Sequence, residues 1–138
     1  MNVDIKITGV NRVENKLRGL ISNMPDIVDG EVVDWTRDMA KLLKRTPYPA
    51  KRPGQNYVRT GQLANRWRVV RQKSASYNIL NDARGRRGRL YAGYVVGSGG
   101  DQAWMHAGRW WIARDVINGF SGDLTRRMVR RINLYWQQ

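Results

Sequence analysis
Val28, Val32, Trp35, Met39 and Leu42 recur at steps of four, three, four and three, and this apolar stripe commits residues 25–45 to one long amphipathic helix. Asp26, Asp29, Glu31 and Asp34 crowd its beginning while Lys41, Lys44 and Arg45 crowd its end, an order that complements the helix dipole. Pro25 suits the first turn, where a missing N–H costs nothing. Upstream, Val3, Ile5 and Ile7 alternate with Asp4, Lys6 and Thr8, the period-two pattern of a half-buried strand, and Gly9 ends it. Asn11 stands three residues before Glu14, a spacing like a capping box with Asn in place of Ser or Thr. Val13, Leu17, Leu20, Ile21 and Met24 follow at helical spacing, which predicts a first helix ahead of the long one.

Downstream, Pro47, Pro49 and Pro53 exclude a regular element over Thr46 to Gly54, leaving an extended loop that carries Lys51 and Arg52. Trp67 to Val70, Ser76 to Leu80 and Leu90 to Val96 are strand candidates. Between the last two lies Arg84-Gly85-Arg86-Arg87-Gly88-Arg89, expected as an exposed hairpin tip, and Gly97 to Gly100 then breaks the sheet pattern. An aromatic stretch from Trp104 to Trp111 leads into a short helix over about 109–118. A final helix from about Asp123 puts Leu124, Met128, Ile132 and Tyr135 on one face. The expectation is an α+β fold: an N-terminal strand, two helices (one long), a small antiparallel sheet, then C-terminal helices. A length of 138 residues fits one domain over 1–138, and a 41% hydrophobic content that includes six Trp and six Tyr supplies its core.

Charge narrows the partners. Residues 1–45 hold eight basic and seven acidic side chains, whereas 46–138 hold seventeen and four, so +13 of the net charge of +14 belongs to the last two-thirds. Such a surface suits nucleic acid, an anionic membrane or an acidic protein. No segment has the roughly 20 apolar residues needed to span a bilayer, and the N-terminus lacks the pattern of a signal peptide. Without cysteine there is neither a disulfide nor a thiolate metal site, which fits a protein made in a reducing cytoplasm. The chain is expected to be soluble and intracellular when made, with no membrane partner.

Catalysis finds little support. His106 is the single histidine; Asp101 and Asp115 lie near it in sequence, but nothing marks a nucleophile for it to activate, so a half-buried structural role is expected. The four acids after residue 45 (Asp82, Asp101, Asp115 and Asp123) are too dispersed for a nuclease-type metal centre. Gly97-Ser98-Gly99-Gly100 lacks the pattern of a phosphate-binding loop. The expectation is a non-enzyme without cofactor or metal. Arg84, Arg86, Arg87 and Arg89, with Lys51 and Arg52, are the candidate partner-binding residues. They suit an acidic rim on another protein or, with Trp67, Tyr91 or Tyr94 stacking on bases, a phosphate backbone.

The order of the pieces carries a further reading. A strand leads into an Asn-x-x-Glu helix, the long helix ends in a basic Pro-containing loop, and Thr60-Gly61-Gln62-Leu63 follows. After two strands, Tyr91-Ala92-Gly93-Tyr94-Val95 precedes a Gly-rich break and an aromatic segment before a helix. Over nearly its whole length the chain resembles the tail-completion family (neck, minor tail or head–tail joining proteins) of tailed bacteriophages. It departs from the family pattern in having Gly97-Ser98 for the usual Gly-Thr, and Arg109-Trp110-Trp111 for the expected Pro-Phe. The resemblance implies a virion structural protein of the tail or neck, built in the host cytoplasm and assembled as a homo-oligomeric ring. It implies as partners the head connector, tail terminator or tail tube, with non-specific DNA contact possible at the basic loops. Thr60, Gly61, Leu63 and Tyr91 are then structural residues, Gly61 supplying a turn conformation that other residues avoid. The alternative is a small basic nucleic-acid-binding protein using the same loops.

Overall fold
The structure, a computed structural model, describes residues 8–56, 59–97 and 99–138. The expected strand at Val3 to Ile7 lies outside the described residues, as do Tyr57, Val58 and Ser98. The fold is α+β: a long helix, a two-stranded antiparallel sheet and C-terminal helices.

Helix α1 runs from Val10 to Arg45, 36 residues that rise about 54 Å. The expected pair of helices is thus one, with Pro25 inside it. Proline deletes one bond, from position 25 to the carbonyl of Ile21, and Ile21 lies on an exposed part of the helix, where losing one bond is cheapest. No glycine or turn cluster follows Met24 to stop the helix, so propensity on both sides carries it through. Nor does Asn11 cap the start: Gly9 does so in the left-handed conformation (φ 90°), and Glu14 pairs forward with Arg18 at 2.7 Å.

After the proline loop comes one helical turn, α2 (Gln62–Asn65), then β1 (Trp67–Lys73) and β2 (Ser76–Asn81), paired from Trp67↔Asn81 to Lys73↔Ser76. These two strands match the sequence expectation. The third does not: Ala92–Val96 is a short helix, α3, and only a single bridge joins Leu90 to Arg84. Packing overrides the β-propensity of Tyr94, Val95 and Val96, because Ala92 and Val96, one turn apart, enter the same core as Leu63. Gly97 closes this helix through its N–H to the Gly93 carbonyl, and a Cβ there would stand 2.2 Å from that oxygen, so only glycine fits. A short helix follows at Ala113–Asn118 (α4), later than the expected 109, because Trp104 to Arg109 is spent on turns. The last, α5 (Ser121–Gln137), presents Leu124, Met128, Ile132 and Tyr135 as its half-buried face, as expected.

α5 lies antiparallel along α1. Arg127 bridges Asp38 (2.8 Å) and Asp123 (2.7 Å) at one end, while Lys16 donates to the Trp136 carbonyl (3.0 Å) at the other. The hairpin runs back along α1 from its C-terminal end: Asn81 donates to the Leu63 carbonyl (2.6 Å), and the β1–β2 turn is tied to Asp29. Asp29 accepts from the Ala75 N–H at 2.6 Å and from the Tyr77 hydroxyl at 2.9 Å, with Arg71 at 3.4 Å. Ala75 holds a left-handed φ of 53°, strained for alanine, and the Asp29 bond helps fix it.

The core is thin and one-ended. Leu63, Ala92 and Val96 form its buried centre, ringed by Tyr48, Trp67, Tyr91, Val95, Trp110 and Trp111. At the other end, residues 10–20 of α1 continue about 15 Å past the hairpin turn, which sits beside Ile21 and Met24. There Val10, Val13, Leu17 and Ile21 are 56, 50, 44 and 70% exposed.

Candidate functional site
Three side chains fold the proline loop onto the aromatic segment. Trp111 donates its indole N–H to the Pro47 carbonyl (3.2 Å), Arg109 bonds the Ala50 carbonyl, and Arg52 reaches the Met105 carbonyl (3.2 Å). The prolines make this possible: without their N–H groups the loop cannot pair as a strand, and its free carbonyls become acceptors. Tyr48 turns inward, its hydroxyl accepting from the Ala64 N–H at 2.8 Å.

A cleft of about 250 Å³ opens where these segments meet. Thr60, Gly61, Leu63 and Tyr91, separated by up to thirty residues in the chain, all line it. The expected turn is present: Gly61 has φ 72° and Leu63 is buried at 4% exposure. The Arg59 guanidinium lies 5.5 Å from the Tyr48 ring and 5.6 Å from that of Trp110, and the two rings are themselves 5.3 Å apart. Such cation–π stacking helps hold a charge in a half-buried place. Burial, with Tyr48 beside it, pushes the Tyr91 hydroxyl above its ordinary pKa, so it stays a neutral donor.

His106 meets Trp110 edge-on, with ring centroids 5.8 Å apart. Burial lowers its pKa, and the Arg109 and Arg52 charges push the same way, so at neutral pH it carries no charge. Its Nδ1 and the Trp110 indole N–H are buried without a hydrogen-bond partner, leaving polar capacity at the cleft. Among the described residues no group of three or more His, Asp or Glu gathers to hold a metal ion. Nor is any helix among them long and apolar enough to cross a membrane.

The second basic element is separate. Gly85 donates to the Arg89 carbonyl and Gly88 to the Gly85 carbonyl, both at 2.9 Å, closing a tight turn over 85–88. Arg84 reaches back to the Gly88 carbonyl at 2.7 Å, and Arg84, Arg86, Arg87 and Arg89 are all exposed. The tip expected from sequence is therefore present, although no third strand supports it. Of the six candidate cations, Arg52 is anchored to the aromatic segment, while Arg84 is anchored within its own turn.

Sequence reasoning missed Arg59, Tyr48 and Trp110 as a cluster, because no spacing rule links residues whose contact depends on the course of two loops. It also passed over Trp104, 83% exposed at the edge of the Lys51–Arg52 loop. Comparison with family models, with curated proteins and with solved structures finds no match.

Proposed function
We propose that this chain is a structural subunit of a tailed-phage virion, acting in head–tail joining or tail completion as one unit of a ring at the neck or tail. The observation that supports this most is the uncovered stripe of α1. Val10, Val13, Leu17 and Ile21 continue the row that Met24 and Val28 carry on to the hairpin turn, and in the described structure they stay 44 to 70% exposed. Folded chains seldom leave four large apolar side chains in a row to water, and such a stripe marks a place for another protein.

The total surface points the same way. It is 10568 Å² for a 16.0 kDa chain, against roughly 7,400 Å² for a compact monomer of that mass. The difference is on the scale of protein–protein interfaces, which bury about 1,600 Å² in all. Ring subunits meet through two unlike faces, and this elongated form offers more than one. The ordered resemblance supplies the virion context, and Thr60, Gly61, Leu63 and Tyr91 line a common cleft.

Affinity capture of the tagged protein from cells assembling the virus, after nuclease digestion, tests this reading by mass spectrometry. Recovery of head-connector, tail-terminator or tail-tube proteins is expected. If only nucleic acid is retained and no virion protein survives digestion, the basic loops are reading phosphates, and the nucleic-acid alternative replaces it.

A further inference from the structure
We infer that the Trp104 loop is a binding site for single-stranded nucleic acid, with a base stacked on the Trp104 indole and phosphates held by Lys51, Arg52 and Arg109. Trp104 is 83% exposed, more than any other large hydrophobic side chain described, so its ring contributes almost nothing to the fold. Indole is the largest apolar side chain, and leaving it in water forfeits burial free energy that a ligand can recover.

The ring stands on a fixed support. Arg52 bonds the Met105 carbonyl, Arg109 bonds the Ala50 carbonyl, and the His106 N–H closes a turn onto the Ala103 carbonyl at 2.8 Å. Gln102 ties the start of the loop to the Val95 carbonyl at 2.8 Å. A platform held at both ends loses little freedom when a base stacks on it. A guanidinium has five N–H donors, and one carbonyl each leaves Arg52 and Arg109 with donors for phosphate.

Charge selects the ligand class. Residues 46–60 and 102–112 contain Lys51, Arg52, Arg59 and Arg109 but no Asp or Glu, so both segments are basic throughout. A protein-binding Trp sits among near-neutral contacts that exclude water. Trp104 is flanked in the chain by Ala103 and the half-exposed Met105, whose carbonyl holds Arg52, with Asp101 the one acid nearby, an arrangement that suits a polyanion with flat, unpaired bases. A duplex keeps its bases stacked within itself and offers Trp104 nothing. Such binding goes beyond the virion reading and stands or falls separately from it.

Fluorescence anisotropy of a dye-labelled oligothymidine of about twenty nucleotides, titrated with the full chain at several salt concentrations, tests this. The expected results are affinity for the single strand that falls with salt, and a loss of about 5- to 150-fold in Trp104→Ala, the worth of one stacked base. The salt slope is unchanged in that variant, Trp104→Phe keeps most of the affinity, and duplex binding does not respond to either change. Trp104 is exposed, so its replacement leaves the core intact, and an unchanged thermal midpoint excludes misfolding. Equal binding by wild type and Trp104→Ala overturns the inference. So does no single-strand binding at low salt, or a Trp104-dependent contact found only with an acidic protein.

Discussion
At the scale of single residues, two positions hold more of the fold than their size suggests. Asp29 fastens the hairpin turn to α1 by accepting the Ala75 N–H and the Tyr77 hydroxyl. Those two bonds, with Arg71 adding its charge, hold the carboxyl below its usual pKa against a smaller penalty from burial. A carboxyl whose folded pKa is depressed contributes stability that is complete above the unfolded value near 4 and is lost as pH falls through the folded one. Acid titration of the thermal midpoint is therefore expected to show a decline below about pH 4 that is shallower in Asp29→Asn. The variant should also start from a lower midpoint at pH 7. Gly97 is the second such position, since an added methyl meets the Gly93 carbonyl at 2.2 Å, backbone against backbone, with no side chain to swing away. Gly97→Ala should cost about 1–3 kcal/mol in denaturant unfolding, the range for an overpacked site. A neutral substitution would mean that α3 ends differently from the structure described.

Among the elements, α1 separates what the sequence makes legible from what it hides. Its apolar period is carried by neighbours three and four residues apart, so the long helix, both strands of the hairpin and the inner face of α5 can be read directly from spacing. Where α1 begins and whether it breaks are decided by small differences. Pro25 satisfies the rule for a first turn equally well when it sits inside a longer helix, and only the absence of a stop signal before it tells the two apart. If α1 is continuous, Pro25→Ala restores the bond to Ile21 and removes a ring clash, a gain of up to about 3 kcal/mol offset by a more flexible unfolded chain. Helicity by circular dichroism and the midpoint should then both rise; with a true helix start at residue 25, neither would. The third strand was illegible for another reason. Tyr94, Val95 and Val96 favour strands locally, but Ala92 and Val96 are drawn into a core built by Leu63, Trp67 and Trp110, and no window of seven residues contains those partners. The cleft is half legible: the Thr60-Gly61-Gln62-Leu63 run and Tyr91 stand out in the sequence, whereas the Arg59 stack depends on two loops meeting.

Across the whole molecule, buried centre and open surface are divided between the ends of one helix. The aromatic core occupies the end near Arg45, and the stripe from Val10 to Ile21 occupies the other, so the second can change without disturbing the first. That separation makes the assembly reading testable without an unfolding artefact. Leu17→Asp combined with Ile21→Asp replaces two exposed apolar groups, and surface changes of this kind alter monomer stability by about 0.5 kcal/mol or less each. Any interface seated on the stripe, however, would have to bury two carboxylates without partners, at several kcal/mol. The thermal midpoint of the isolated chain is expected to stay within a few degrees of wild type. Incorporation into particles, followed by complementation of a phage lacking the gene and by immunoblot of purified virions, is expected to disappear. Normal incorporation of the doubly substituted chain would show that the stripe faces no partner, and the ring contacts would then have to be sought on α5 or on the Arg84 to Arg89 turn. A fall in the midpoint together with lost incorporation would instead show that the stripe is covered within the chain itself, which removes the observation on which the assembly reading rests.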